Sequence, residues 1–281
     1  LFSEKRPPNV PVPPPVPLAL AALSVLQCLQ SRPGRVGPGA QKKGRNRMQY
    51  HRVILKLSGE ALGKDGKLFD HEKIRTLAGV LKEVADAGVQ LGIVIGGGNL
   101  WRGRSAAPEL HAYAADAIGM LGTVMNCLYV KDMLLSVGAK AYCMSAVEMP
   151  RVCETYAPQL AEDRLSRGEI VLFAGGSGNP CFSTDTPVVL RAIELGCDAV
   201  LMGKSIDGVY TADPHKDASA TLLKDVTYEE CVRRDLRVCD PSAFSLLKDY
   251  RVPMLRVFSL DDPRNVLRVL NGDDMGTFVH P

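Results

Sequence analysis

From about residue 50 onward, short apolar runs alternate with stretches of helical periodicity. Val53-Ile54-Leu55-Lys56-Leu57, Val89 to Ile95, Ala139 to Ser145, Ile170 to Ala174, Cys197 to Met202, Met254 to Phe258 and Gly276 to Val279 read as strands. The unbroken run Ile170 to Ala174 has the pattern of a strand buried on both faces. Between the strands, Ile74, Leu77, Val80, Leu81 and Val84 recur at helical spacing behind Asp70, a suitable N-cap, and stop at Gly88. Pro108 to Gly138 reads as one long helix or a pair, Pro158 to Gly168 as a connecting helix, and Thr184 to Leu195 as a helix closed by Gly196. Thr227-Tyr228-Glu229-Glu230 is a capping box, Pro241 to Tyr250 a further helix, and another follows Pro263. This alternation predicts an α/β fold with an open, mostly parallel sheet and a ligand site at the carboxyl ends of its strands.

The first 47 residues break the pattern. They hold nine of the 19 prolines and eight Lys and Arg against one acid, with one apolar patch from Leu18 to Leu29. That patch is shorter than the roughly 20 residues that span a bilayer. We expect residues 1–47 to be a disordered or non-native extension ahead of a single domain over 48–281, with organelle import, to a plastid for instance, as the alternative. The formal charge of +3 belongs to this segment, because 26 basic face 30 acidic residues from Met48 onward, a net of −4. No basic field covers the body, so nucleic acid is not an expected partner. Eight cysteines without a close Cys-x-x-Cys pair or a paired histidine argue against structural zinc and suggest a reducing compartment.

Candidate chemistry gathers at the strand exits. Glycine-rich turns follow two strands: Gly96-Gly97-Gly98-Asn99-Leu100-Trp101-Arg102-Gly103-Arg104, and Gly175-Gly176-Ser177-Gly178-Asn179-Pro180-Cys181-Phe182 leading to Ser183-Thr184-Asp185-Thr186. Bare backbone there suits a phosphate, although a turn needing glycine only for its dihedrals gives the same letters. Neither turn is a Walker A loop or a dinucleotide fingerprint. Lys56 inside a buried strand requires a partner beyond the strand end, unless the strand lies at an edge where the ammonium reaches water. Arg102 is placed to clamp phosphate, and Arg104 reads equally as a solvated loop residue. Asp116, Gly119, Met120, Thr123 and Cys127 share one helix face, by default a core or subunit-packing face, on which Asp116 stands out as a ligand for a sugar or base. Asp207-Gly208 reads as a hairpin turn, and Tyr210 beside it as a ring to pack on a base. Gly59, Gly63 and Gly66 predict a flexible loop after the first strand.

Taken together, Lys56-Leu57-Ser58-Gly59-Glu60, Ile95-Gly96-Gly97-Gly98-Asn99 with Arg102-Gly103, Asp116 with Gly119-Met120-Leu121, Gly176-Ser177-Gly178-Asn179-Pro180 with Ser183-Thr184-Asp185, and Asp207-Gly208-Val209-Tyr210-Thr211-Ala212-Asp213-Pro214 resemble the bacterial type of UMP kinase within the amino acid kinase family. The resemblance runs from about Tyr50 to the C-terminus. It implies a three-layer αβα sandwich, phosphoryl transfer from ATP to UMP with Mg²⁺, a cytoplasmic homo-oligomer, commonly a hexamer, GTP and UTP as effectors, and no membrane. It implies catalytic roles for Lys56, Arg102 and Asp185, the last orienting Lys56 or helping to hold the metal. ATP would meet Lys56, Leu57, Ser58, Gly59, Gly98, Arg102, Lys204, Tyr210 and Asp213. UMP would meet Gly97, Asp116, Ser177, Gly178, Asn179, Pro180, Cys181, Phe182, Ser183 and Thr184. Three stretches depart from the family's usual pattern: Cys181-Phe182-Ser183-Thr184 stands for Phe-Phe-Thr-Thr, Met202-Gly203-Lys204-Ser205 places its cation differently, and Ser105 to Tyr113 is unlike the usual linker before the aspartate. The competing expectations are an acylphosphate-forming relative acting on carbamate or an amino-acid carboxylate, and a uridine-nucleotide sensor without turnover.

Overall fold

The computed structural model describes residues 48–63, 66–103, 109–214, 216–236 and 238–281. The strands are β1 (Arg52–Leu57), β2 (Gln90–Ile95), β3 (Ala141–Ser145), β4 (Glu154–Thr155), β5 (Ile170–Ala174), β6 (Ala199–Lys204), β7 (Val209–Tyr210), β8 (Leu222–Leu223), β9 (Asp225–Thr227), β10 (Leu255–Ser259) and β11 (Thr277–His280). The α-helices, labelled in order, are α1 (His71–Asp86), α2 (Ala112–Ser136), α3 (Pro158–Ser166), α4 (Asp185–Glu194), α5 (Tyr228–Arg233), α6 (Pro241–Asp249) and α7 (Asn265–Leu270). They belong to a unit spanning Asn46–Pro281, whereas Leu1–Arg45, the other unit, lies outside the described residues.

Nine strands form one sheet in the order β4-β3-β5-β2-β1-β6-β10-β11-β9, every pair parallel except β10 with β11. The centre of this sheet is β1, paired with β2 from Arg52↔Gln90 and with β6 from Val53↔Ala199. Alternation along β1 sends Val53, Leu55 and Leu57 into the core shared with α1, α2 and α7, and Ile54 into the core shared with α3, α4, α5 and α6. Helices thus cover both faces, the expected three-layer α/β sandwich, and the central strands are buried on both sides as parallel strands require. Lys56 lies on the Ile54 side, under α4. Lys204 shares that side on the neighbouring strand, since Val200 and Met202 of β6 pack in the same core. Asp198 pins the start of this central pair, its Oδ2 accepting the backbone N–H of His51 at 2.7 Å and of Arg52 at 2.8 Å.

Most expected elements lie within one or two residues of their places, and two expectations change. After β1 the chain makes a 3₁₀ turn, Gly59–Leu62, instead of a loop, and the Asp70 N–H closes it onto Leu62 O at 2.8 Å. Asp207-Gly208 is not a hairpin turn. It precedes β7, whose antiparallel partner β8 begins only at Leu222. Glycine is required at 208 by close approach, because a Cβ there would lie 2.6 Å from both Leu222 Cδ1 and Thr277 Oγ1. The long helix is a single one, α2, and β4, β8 and β9 are too short to carry a period that the sequence betrays. By length and composition α2 is apolar enough to cross a membrane, yet it packs on β2, β3 and β5 with Thr123 and Asn126 buried, as a layer of the sandwich does.

Replacing Asp198 by Ala removes an acceptor that two strand amides share. Part of that loss is recovered from water, so we expect a destabilisation of about 1–2 kcal/mol, read as a lower urea midpoint at unchanged slope.

Candidate functional site

The carboxyl ends of β1, β2, β5 and β6 meet at one edge of the sheet, and the segments that leave them build the site. Helix α4 begins there with Asp185 in its first turn, where the positive end of the helix dipole favours a carboxylate. Ser183, one residue before the N-cap Thr184, accepts the Asp185 N–H on its Oγ at 3.1 Å. Asp185 Oδ1 lies 3.2 Å from Lys56 Nζ, both side chains about 15% exposed. Its Oδ2 accepts the Asp240 N–H at 3.3 Å. Lys204 belongs to the same group: its Nζ donates to Val238 O at 2.5 Å. Burial lowers the Lys204 pKa below the ordinary lysine value, with the nearby Lys56 charge adding to that and the Asp185 carboxylate opposing it. One carboxylate therefore balances two ammonium groups held on adjacent strands.

Beside this cluster lies a cleft of about 420 Å³. Its walls are the turn after β2 (Gly97, Gly98, Trp101, Arg102), the first half of α2 (Asp116, Gly119, Met120, Thr123) and the loop from β5 to α4 (Gly176, Asn179, Pro180, Phe182, Ser183, Thr184). The first two walls touch closely, since a Cβ on Gly97 would lie 2.7 Å from Gly119 O. Helix α2 ties both turns down. Thr123 Oγ1 accepts the Gly175 N–H at 2.9 Å, and Asn126 Nδ2 donates to Gly96 O at 2.7 Å and to Asn99 Oδ1 at 2.8 Å. Trp101 Nε1 donates to Ala115 O at 2.8 Å. Asp116 Oδ2 accepts the backbone N–H of Cys181 at 2.7 Å, and Cys181 takes a left-handed φ of 69°, a strained conformation for a residue with a side chain.

The residues expected to take part fall into three groups. Gly97, Gly98, Arg102, Asp116, Asn179, Pro180, Phe182, Ser183 and Thr184 line the cleft, and Gly178 and Cys181 belong to the same loop. Lys56, Asp185 and Lys204 form the charged cluster next to it. Leu57 has its side chain fully buried in the core and its carbonyl accepts the Gly96 N–H at 2.9 Å, so it joins two strand ends and presents no side chain to a ligand. Ser58 and Gly59 open the 3₁₀ turn, whose Glu60 forms an ion pair with Arg102. Ser177 turns inward on its own loop, its Oγ donating to Asn179 O and accepting the Asn179 N–H. Tyr210 and Asp213 stand on the small β7–β8 unit outside the cleft walls, Tyr210 donating to Asp207 Oδ1 at 2.7 Å and Asp213 lying 3.7 Å from Lys216. Arg104 lies outside the described residues.

Sequence reasoning misses Asp240. This residue caps α6 through Ala243 N–H, and its carboxylate also accepts from the hydroxyls of Ser183 and Thr186. Asp-Pro before an apolar helical run is a legible cap signal, but nothing in it announces a second set of partners 54 and 57 residues away. Glu60, Asn126 and Trp101 are likewise hidden, because their partners come from other elements.

The family model described as "Amino acid kinase family" matches residues 51–257. A uridylate kinase of a Nocardioides species is 44% identical over 232 residues, covering 82% of this chain and 98% of that protein. The uridylate kinase of Limosilactobacillus reuteri is 44% identical over 235 residues, with 83% and 98% covered. Among solved structures, UMP kinase from Bacillus anthracis superposes with a TM-score of 0.79 at 36% identity, covering 82% of this chain and 96% of that one. UMP kinase from Ureaplasma parvum gives 0.78 at 28% identity, with 83% and 100% covered.

Two substitutions probe this architecture. Thr123→Val keeps the shape and leaves the Gly175 N–H without its acceptor, so the fold should lose about 1–3 kcal/mol in urea unfolding. The lowered pKa of Lys204 means that the unfolded chain binds the proton more tightly than the folded one at alkaline pH. Wild-type stability relative to Lys204→Met should therefore rise as pH increases through the window that ends at the ordinary lysine value of 10.5, and a flat difference would contradict the assignment.

Proposed function

The chain belongs to the amino acid kinase family, and from the uridylate kinases that it matches over most of its length we infer that it is a UMP kinase, transferring the γ-phosphoryl group of ATP to UMP to give ADP and UDP in pyrimidine nucleotide biosynthesis. At the level of residues, one observation carries the reading: the Lys56–Asp185–Lys204 cluster lies directly beside the loop of Asn179 to Thr184 and its partner Asp116.

In the mechanism we propose, a UMP phosphate oxygen attacks the γ-phosphorus as the bond to the β–γ bridging oxygen of ATP breaks. The ammonium groups of Lys56 and Lys204 stabilise the charge that develops on the transferred group, and Asp185 keeps both in place. Arg102, paired with Glu60 at the mouth of the cleft, is positioned to exchange that carboxylate for a phosphate. The peptide groups of Gly97 and Gly98 approach the transfer region. Asp116 accepts from the UMP ribose, and Ser183 and Thr184 face its phosphate. Tyr210 and Asp213 take the adenosine end. No hydroxyl or thiol nucleophile is needed, because positioning and charge neutralisation suffice.

Kinases of this kind use ATP with a divalent metal, and we propose Mg²⁺. Among the described residues no group of three or more His, Cys, Asp or Glu is arranged to hold a metal ion. That donor set fits an ion carried mainly by the nucleotide phosphates, with Asp185 the residue here to touch its hydration shell. Bound with ATP, the ion would supply charge neutralisation to the phosphates. We further propose a cytoplasmic homo-oligomer, hexameric with GTP and UTP as effectors by family resemblance. The exposed apolar residues Tyr113, Ile118, Leu121 and Met125 on α2 support self-association.

A coupled assay with ATP and Mg²⁺ should release ADP with UMP well above the level with CMP or AMP; equal release would overturn UMP specificity. In the same assay Lys56→Ala should lower kcat by about 10²–10³-fold, while calorimetric binding of UMP stays near wild type. Loss of binding along with turnover would move Lys56 out of the transferring region.

A further inference from the structure

Three thiols converge on the far side of α2's packing layer, away from the cleft. Cys127 on α2, Cys143 on β3 and Cys153 immediately before β4 share one buried core. Cys143 lies close enough to both of the others for their thiols to interact, and Cys127 donates to Phe173 O at 3.8 Å. The register Met144↔Glu154 between β3 and the edge strand β4 puts Cys143 one step earlier on β3, opposite Cys153 just before β4. Neighbouring strands run about 4.8 Å apart, within the roughly 4.4–6.8 Å between Cα atoms that a disulfide spans. A second cleft of about 470 Å³ opens onto these two thiols and not onto Cys127, and Lys131 and Lys140 also line it. Hydrogen bonding to Cys127 and Cys153, with the charge of Lys131, holds the Cys143 thiol below its ordinary value against the effect of burial. Burial first, then the neighbouring Cys143, pushes Cys153 up to about 11. Cys143 is accordingly the thiol that ionises first.

We propose that this cleft is a thiol-oxidation site, in which an anionic low-molecular-weight disulfide converts Cys143 and Cys153 into an intramolecular disulfide. The lysines attract the carboxylates of the incoming molecule. The Cys143 thiolate attacks one sulfur of the disulfide, forming a protein–S–S–R bond and expelling one RS⁻. The Cys153 thiol, giving its proton to solvent, then attacks Cys143 Sγ and expels the second RS⁻. In sum, two protein thiols and RSSR become one protein disulfide and two RSH, with the added reagent as the oxidant.

Full-length protein under native conditions is incubated with glutathione disulfide, its remaining thiols are alkylated, and its tryptic peptides are weighed. Cleavage after Lys140, Arg151 and Arg164 places Cys143 and Cys153 on separate peptides, 141–151 and 152–164. We expect loss of alkylation at both residues and a cross-linked pair of these two peptides. Cys153→Ser, checked for unchanged turnover before oxidation, should stop at a glutathione adduct on Cys143. The proposal fails if both thiols stay alkylated while the exposed Cys181 takes glutathione, if Cys143 joins Cys127 instead, or if Cys153→Ser yields no adduct on Cys143.

Discussion

One carboxylate between two ammonium groups governs the arrangement around it. Lys56 and Lys204 are fixed on adjacent parallel strands and point to the same face, so their mutual repulsion is built into the register of β1 with β6. Burying such charges without a partner costs several kcal/mol each. Asp185 answers both at once, because α4 starts directly above the strand ends and the Asp240 N–H donates to its Oδ2. The position of α4, the turn made by Ser183 on the Asp185 N–H and the seat of α6 under Asp240 all keep that oxygen pair in place.

Helix α2 solves a different problem. The turns after β2 and β5 are rich in glycine and would wander without restraint. Thr123 and Asn126, two buried polar residues on one face of α2, each hold one of those turns by its backbone, while Asp116 at the near end holds Cys181. Polar groups thus serve as latches inside a layer that is otherwise apolar, with no buried side-chain donor or acceptor left unsatisfied among the described residues.

The sequence carries the layered fold because strand and helix periods differ and the parallel strands are short, apolar and separated by helices. Lys56 is legible by cost alone, as a charge in the middle of β1 demands a partner, and Asp116 by its isolation on a small-residue face. What the sequence withholds is set by pairing at long range. Asp240 reads as a helix cap and is also an anchor for Ser183 and Thr186, while Leu57 stands in a motif yet spends its side chain on the core. Asp207-Gly208 has the letters of a turn, but the glycine answers to Leu222 and Thr277, which only the folded sheet brings near. The same holds for β4, β8 and β9, whose two or three residues are strands only because a longer neighbour or a partner strand lies beside them.

The sheet order places β1 between β2 and β6, so the first strand of the body finds one neighbour about 40 residues later and the other only after residue 199. Pairings this distant along the chain must overcome a large loop-closure entropy before they return any contact energy, which makes them late events in folding. During synthesis Lys56, Asp116 and Asp185 emerge before Lys204, and Asp240 follows later. A nascent chain therefore carries most of the cleft's side chains while lacking the strand and the anchor that bring them together. The charged cluster closes only when β6 pairs with β1 and brings Lys204 beside Lys56 and Asp185.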